Sequence, residues 1–301
     1  MKRIVVAGGT GLIGQAFIKK ARTEGCEVVL LSRRARGGGE SLLKTVFWDG
    51  RTVGDWQACL DGAFALVNLA GENIGAGPWT AERKARIISS RVDAGRALVQ
   101  ALEMTRNKPQ VFLQASAIGY YGVTGDAAVV ETDHAGKDFL AKICLDWEAS
   151  TRAVETMGLR RVLLRTGLVL ACEDGALPKM LPLFKLFTGG PLGNGKQYWS
   201  WISLADEVEA MWFLLNKAEA SGVYNLTAPN PVTMGEFGRT LAAVIGRPYW
   251  LPAPAFALRL VLGEMSALLL DSQRILPERL LQAGFTFRFP RLKEALEALG
   301  L

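Results

Sequence analysis

Short β-branched runs alternate with longer amphipathic stretches through the first half of the chain. Arg3–Ala7, Glu27–Leu31, Thr45–Trp48, Ala65–Leu69, Val111–Ala115 and Arg161–Arg165 have the apolar, β-branched composition of buried strands. Between them, Leu12–Glu24, Ala81–Glu103 and Phe139–Met157 repeat apolar residues at helical spacing and are long enough to cross from one parallel strand to the next. That alternation predicts an α/β fold, a Rossmann-type doubly wound parallel sheet with helices on both faces. Beyond Thr166 the pattern changes to Pro- and Gly-rich turns, such as Leu177-Pro178 and Thr188–Gly195. Separate helical pieces follow at Leu204–Lys217, Thr233–Ile245, Ala255–Leu262 and Arg291–Leu299, with few strands. The expected division is residues 1–166 in the sheet domain and 167–301 in a smaller mixed C-terminal lobe, interleaved with the first.

Composition narrows the function classes. With 301 residues and 50% hydrophobic side chains the chain can bury a large core without staples. Cys26, Cys59, Cys144 and Cys172 stand far apart with no C-x-x-C pair, so neither a disulfide framework nor a zinc site is expected, and a reducing cytoplasm fits. Met1-Lys2-Arg3 runs straight into a strand, so no export signal is expected. The most apolar stretch, Phe256–Leu270, is interrupted by Arg259 and Glu264, which argues against a membrane span. The formal charge of +6 is spread along the chain without aromatic interleaving, so nucleic acid is not an expected partner.

The strongest local signal is Gly8-Gly9-Thr10-Gly11-Leu12-Ile13-Gly14, directly after a strand and at the head of a helix. Gly8, Gly11 and Gly14 give a tight turn, close backbone approach to a pyrophosphate and close helix packing, and the helix start offers free N–H groups to an anion. Thr10, Leu12 and Ile13 complete this candidate dinucleotide cradle; the alternative is a glycine turn without a ligand. The second strand ends in Ser32-Arg33-Arg34, where an NAD-specific protein would place a carboxylate for the ribose hydroxyls. A guanidinium fork and a serine hydroxyl suit a 2′-phosphate instead, which favours NADP(H) through Ser32 and Arg33. Solvated loop charges are the alternative for Arg33 and Arg34, which form a local basic cluster with Arg36.

With these residues the chain resembles the extended short-chain dehydrogenase/reductases, and more closely their atypical epimerase-like branch of NADP-binding proteins within the NAD-dependent epimerase/dehydratase superfamily. Matching segments run nearly end to end. They include Val67–Ile74, Ser90-Arg91, Ser116–Gly122, Asp146-Trp147-Glu148, Arg165-Thr166-Gly167, Gly189–Gly193, Ala228–Val232 and Ala283-Gly284-Phe285. The resemblance implies that Leu69, Ala70 and Gly71 lie along the nucleotide, that Arg91 is a further cofactor contact, and that Ser116 hydrogen-bonds the reacting oxygen of a substrate. A strand-end serine capping a turn is the other reading of Ser116.

The resemblance breaks at the helix that carries Tyr-x-x-x-Lys in active relatives. Glu148 sets the register there, which puts Cys144 in the lysine slot and Leu140 in the tyrosine slot. Leucine moves no proton, and Lys142 lies on the opposite helix face, where a pairing with Asp138 is expected. Tyr120 and Tyr121, on the loop leaving the Ser116 strand, are the alternative proton carriers, unless they only pack that loop. Cys144 as a nucleophile and a Ser116/His134/Asp133 hydrolase are further readings without a supporting partner in sequence. Gln197–Ser203 is expected to line a small-molecule pocket, with Lys196 and Arg165 able to attract an acidic substrate and Asp206 stabilising the next helix start. The tail Trp250–Leu270 is expected to pack on the lobe, with part of its apolar face free for a homodimer contact. The functional expectation is an NADP(H)-dependent oxidoreductase or epimerase on an unidentified small carbonyl or hydroxyl compound. The alternative is a non-catalytic NADP(H)-binding redox sensor or regulator.

Overall fold

Successive residues of the central strands are buried on opposite faces of the sheet, in two separate cores. Ile4 and Val6 of β1 (Arg3–Ala7) share one core with Val28 and Leu30, while Val5 and Ala7 join Val29 and Leu31 in a second core on the other face. The strands are therefore apolar on both sides, as parallel strands covered by helices must be. The computed structural model describes residues 1–34 and 41–301, so Arg36 lies outside the described residues.

The chain continues through α1 (Leu12–Thr23), β2 (Glu27–Ser32), β3 (Leu43–Phe47), β4 (Ala65–Asn68), α2 (Ala81–Met104), β5 (Val111–Ala117) and β6 (Ala128–Val129). Next come α3 (Phe139–Ser150), β7 (Arg160–Thr166), β8 (Leu168–Leu170), α4 (Leu177–Lys185), β9 (Tyr198–Trp199), β10 (Trp201–Ser203), α5 (Leu204–Asn216) and β11 (Gly222–Leu226). The last elements are β12 (Val232–Thr233), α6 (Met234–Val244), α7 (Ala255–Leu262), α8 (Ala267–Leu270), β13 (Arg274–Ile275), α9 (Glu278–Gln282) and α10 (Leu292–Glu297).

Seven parallel strands form the sheet in the order β11-β7-β5-β4-β1-β2-β3, the doubly wound topology expected from the sequence. Phe17, Ile18 and Ala21 of α1 and Ala210–Leu215 of α5 fill the first core; Ala94, Ala97, Leu98 and Leu102 of α2 fill the second. Strand order reverses at β1, which has β2 on one side and β4 on the other, so the crevice above the carboxyl ends of β1 and β4 is where such a sheet takes ligands.

The pattern past Thr166 had suggested few strands, yet Gly222–Leu226 returns as the seventh strand, in register with Val162–Thr166. The two-stranded ladders β8/β10 and β9/β12 lie within the C-terminal lobe, and β6/β13 ties that lobe to the segment that follows β5. Trp199, Trp201, Phe237, Leu241 and Leu296 form that lobe's own core. The helix expected over Phe139–Met157 ends at Ser150 and continues as a 3-10 turn over Arg152–Met157, closed by Gly158 at φ 78°.

Candidate functional site

The glycine turn is closed from below by β4. Gly8 has φ +76°, and a Cβ there would lie 2.4 Å from the carbonyl carbon of Leu69, 2.5 Å from its oxygen and 2.6 Å from the nitrogen of Ala70. Only glycine fits, because the obstacles are backbone atoms that cannot step aside. Gly14 meets the same limit, with its absent Cβ 2.5 Å from Gly9 Cα. Gly11 is different: a Cβ on it would have only Gly8 O nearby, at 3.7 Å, so its small size leaves room above the loop rather than relieving a clash. Gly11 is also the N-cap of α1, and no side chain caps the first-turn N–H groups that Leu12, Ile13 and Gly14 present. Thr10 is exposed beside them, and its carbonyl is tied back by Gln15 Nε2 at 2.7 Å.

Leu69–Gly71 forms the facing wall. Leu69 N–H donates to Ala7 O (2.9 Å), extending the strand ladder by one step. Asn68, fully buried, then turns the chain by accepting from Ala70 N–H (3.1 Å) while donating to Gln114 (2.9 Å). Ser90 accepts from Glu72 N–H at 3.0 Å and anchors the far end of the segment on α2. Arg91, one residue on, folds its guanidinium against Gly71, donates once to Ile87 O (3.0 Å) and lies 4.9 Å from the centre of the Trp147 ring. Burial lowers its pKa, with Glu72 nearby working against it, and it forms no salt bridge with any described residue. Its remaining donors are therefore available to an anion or carbonyl in the crevice.

At the end of β2, Ser32 Oγ accepts from Arg34 N–H at 3.1 Å. Arg33 and Arg34 are exposed, and Arg33 makes no ion pair with any described residue. No acidic side chain follows the strand before residue 35. The uncapped helix start and the Gly8 cradle fit the pyrophosphate of a dinucleotide, with the exposed Arg33 at the β2 tip on the same edge of the sheet.

Beyond the end of the Ser116 strand, the structure assembles a closed polar network. Ser116 Oγ, buried, donates to Glu148 Oε1 at 2.6 Å. Arg165 grips the same carboxylate with two bonds, Nε to Oε1 at 2.9 Å and Nη2 to Oε2 at 3.0 Å, and its Nη1 donates to Tyr121 OH at 3.0 Å. The Tyr121 hydroxyl in turn donates a hydrogen bond to Asn225 Oδ1 at 2.7 Å. Burial works to lower the Arg165 pKa, but Glu148 outweighs it and holds the guanidinium charged. Burial pushes the Tyr121 phenol up to about 12, with its hydroxyl bonded on both sides. Tyr120 differs. Its half-exposed ring lies over the Arg165 guanidinium, 3.2 Å from centroid to Cζ, and its hydroxyl has no hydrogen bond to any described residue.

The slots of the missing pair are filled by packing. Leu140 lies against Gly119, and the Cys144 thiol reaches Ala117 O at 3.5 Å. Burial, with Glu148 nearby, pushes that thiol up to about 12, so a nucleophilic Cys144 is not supported. Lys142 pairs with Asp146 at 2.7 Å rather than with Asp138, which instead caps α3 by accepting from Ala141 N–H. Arg165 is spent on Glu148 and cannot recruit an acidic substrate. Trp199 and Trp201 are core residues, not pocket walls, and Ser203 caps α5. Asp206 does more than steady a helix start: it accepts from Ser203 Oγ and from the backbone N–H groups of Arg288 and Phe289 (2.7 and 3.0 Å), latching the C-terminal segment onto the lobe. Exposed His134 has no bond to Ser116, whose hydroxyl is held by Glu148.

Comparison with known proteins agrees with this geometry. Residues 4–227 match the model of the NAD dependent epimerase/dehydratase family, and residues 253–299 match a domain of unknown function, DUF1731. The chain belongs to the epimerase/dehydratase family. "Epimerase family protein YfhF" of Bacillus subtilis is 38% identical over 98% of this chain and 97% of its own length. "Epimerase family protein SDR39U1 homolog, chloroplastic" of Arabidopsis thaliana is 36% identical over 98% of this chain and 86% of its own length. The crystal structure of human epimerase family protein SDR39U1 (isoform 2) with NADPH superposes with a TM-score of 0.90 at 32% identity, covering 99% of this chain and 98% of that one.

As a member of this family, the chain has an NAD(P)-binding fold of the extended short-chain dehydrogenase/reductase kind. Sequence reasoning did not find the tie between Glu148 and Arg165, nor the part of Asn68 and Asn225 in shaping the site. The available signal was polar residues at inward positions of otherwise apolar strands, which must find partners when buried.

Proposed function

We propose that the protein is an NADP(H)-dependent oxidoreductase or epimerase acting at a carbonyl or hydroxyl carbon of a small substrate, with Tyr120 as the proton-carrying group. The Gly8–Gly14 turn and the start of α1 would hold the pyrophosphate, Ser32 and Arg33 the 2′-phosphate, and Leu69–Gly71 with Arg91 the nearer face of the nucleotide. Bound there, the nicotinamide supplies or accepts a hydride.

The observation that carries the reading is the pairing of Tyr120 with Arg165. A phenol can carry a proton to or from a substrate only if its hydroxyl is not already bonded within the protein and its ring is held in place. Arg165 lies directly over the Tyr120 ring, held there by Glu148, while the Tyr120 hydroxyl stays uncommitted. Tyr121 is bonded on both sides and Ser116 is held by Glu148, so these two serve to position the network rather than to move a proton.

The test is NADPH oxidation across a panel of aldehydes, ketones and keto sugars by the wild type and Tyr120→Phe. The expected outcome is turnover that falls about 10²–10⁴-fold in the variant with NADPH affinity unchanged. Turnover that survives in Tyr120→Phe removes the tyrosine from the reaction. Leu140 and the buried Cys144 favour a second reading, a non-catalytic NADP(H)-binding sensor. Tight cofactor binding without turnover of any compound on the panel would select it.

A further inference from the structure

Arg91 reaches from α2 to the end of the β4 wall and meets no anion there. A guanidinium carries several N–H donors, yet among the described residues Arg91 makes a single hydrogen bond, from Nη1 to Ile87 O at 3.0 Å. Glu72, the nearby carboxylate, is taken by Arg83 at 3.1 Å and Arg86 at 3.8 Å. The Trp147 ring, its centre 4.9 Å from Arg91 Cζ, holds the group by stacking, and the indole Nε1 of that ring is itself buried without an acceptor. The residue is half-buried, so Nε and Nη2, the paired edge of the fork, stay open to a ligand. A charge kept in such a place with its donors unmatched is one that a ligand completes.

Its neighbours indicate which part of a ligand it meets. A Cβ on Gly71 would lie 3.0 Å from Arg91 Cζ and 3.2 Å from Nη2, so the bare glycine lets the guanidinium lie against the wall. Leu69 and Ala70, earlier in the same wall, close beneath the Gly8 turn. On its other side Arg91 has Trp147 and, one turn before it on α3, Cys144, whose thiol reaches Ala117 O at the end of β5. Arg91 therefore stands past the glycine turn on the β5 side, opposite to β2 in the strand order. A dinucleotide with its pyrophosphate on the start of α1 and its adenosine end at β2 runs in that direction. The group that follows the pyrophosphate is the nicotinamide ribose, whose vicinal hydroxyls are acceptors spaced for a guanidinium fork. The buried residues of α3 are Ala141, Ile143, Cys144 and Trp147, without a cation among them, and Lys142 is turned away to Asp146.

We infer that Arg91 holds the nicotinamide ribose, donating from Nε and Nη2 to its hydroxyls, and so brings from α2 the cation that the Cys144 position on α3 lacks. The inference rests on the cofactor reading above and deepens it. Ile87 O anchors Nη1 and the Trp147 ring fixes the plane of the group, so the fork is oriented before a ligand arrives. A ribose gripped in this way fixes the orientation of the ring attached to it, which is what a hydride transfer requires.

The test is isothermal titration of the full chain, as wild type, Arg91→Met and Arg91→Gln, with ADP-ribose and with the β-methyl ester of ADP, each with and without a 2′-phosphate. The ester keeps the pyrophosphate and its charge but lacks the ribose. The wild type is expected to bind ADP-ribose about tenfold or more tightly than the ester, a difference that both variants lose while their affinity for the ester stays within about threefold of wild type. Neither substitution strands a paired carboxylate, so both variants should keep the wild-type melting temperature, which separates loss of the contact from loss of fold. A difference that survives in the variants, or one absent from the wild type, overturns the inference and leaves the cofactor reading standing. Equal losses for both ligands at an unchanged melting temperature also overturn it, by placing Arg91 on the pyrophosphate. A wild type that binds neither compound overturns the cofactor reading, and the inference with it.

Discussion

Replacing Gly8 and Gly11 separately by alanine pulls apart two tasks that the glycine turn performs. At Gly8 the new methyl would be forced to within 2.4–2.6 Å of the backbone of Leu69 and Ala70, and the residue would have to hold φ +76°. The left-handed conformation alone costs an L-residue about 1–2 kcal/mol, and overlap with an unyielding strand end adds about 1–3 kcal/mol. A total of about 2–5 kcal/mol lowers the melting temperature by roughly 3–8 °C in a chain of this size. The displaced turn also no longer presents the α1 N–H groups, so NADPH affinity should fall with stability. At Gly11 the methyl meets only Gly8 O at 3.7 Å with an ordinary backbone, so the expected change in stability is within about 1 kcal/mol. The methyl nonetheless projects into the space that a pyrophosphate would fill, and NADPH binding should weaken at least tenfold. Differential scanning fluorimetry and fluorescence titration with NADPH read both quantities. A Gly8→Ala variant with wild-type melting and affinity, or a Gly11→Ala variant as unstable as Gly8→Ala, would refute the reasoning.

Removing Arg165 leaves the Glu148 carboxylate and Ser116 hydroxyl buried without their cation, so Arg165→Leu should cost about 3–5 kcal/mol in chemical denaturation, and the double variant Arg165→Leu/Glu148→Leu less than the sum of the singles. Glu207 is fully buried, with one oxygen accepting from Thr166 Oγ1 at 2.8 Å and the other unpartnered, and burial pushes its carboxyl up to about 8. Because the folded pKa exceeds the unfolded value of about 4.3, its stabilising contribution is complete below that value and is lost as pH rises through about 8. Glu207→Gln should therefore gain thermal stability over the wild type between about pH 5 and pH 8, with a constant gap above; a gap that does not change with pH would contradict the assignment. The Cys144 thiol, buried and pushed up to about 12, should resist iodoacetamide in the native protein while exposed Cys172 reacts, as peptide mapping by mass spectrometry would show.

The parts of this molecule legible in the sequence are those where one residue's requirement is local. β1, the glycine turn and the start of α1 lie where the pattern put them, because strand alternation, turn geometry and helix entry are set by neighbours in the chain. The seventh strand was missed although Val223-Tyr224-Asn225-Leu226 has strand composition, since Asn225 and the surrounding turns obscured it. Asn225 is there because Tyr121, distant in sequence, needs an acceptor. The network around Glu148 was hidden for the same reason: Ser116, Glu148 and Arg165 come from β5, α3 and β7, and only the sheet order brings them together. Trp199 and Trp201 look like pocket walls in sequence, because aromatic residues beside a glycine-rich loop serve equally well as core. Lys142 had acidic neighbours in both directions on its helix. Asp138 was already used as the N-cap, which left Asp146.

The claim on which the rest depends is that the crevice at β1, β2 and β4 reads NADP(H) through the β2 tip. Isothermal titration of NADPH and NADH against the wild type and Arg33→Ala tests it directly. A charge-assisted contact of a guanidinium to a 2′-phosphate amounts to about 1.5–3 kcal/mol, or roughly 10–100-fold in affinity. The expected result is NADPH bound at least tenfold more tightly than NADH by the wild type, with that preference largely gone in Arg33→Ala and NADH affinity unchanged. Equal affinities in the wild type, or equal losses for both cofactors in the variant, would contradict the account.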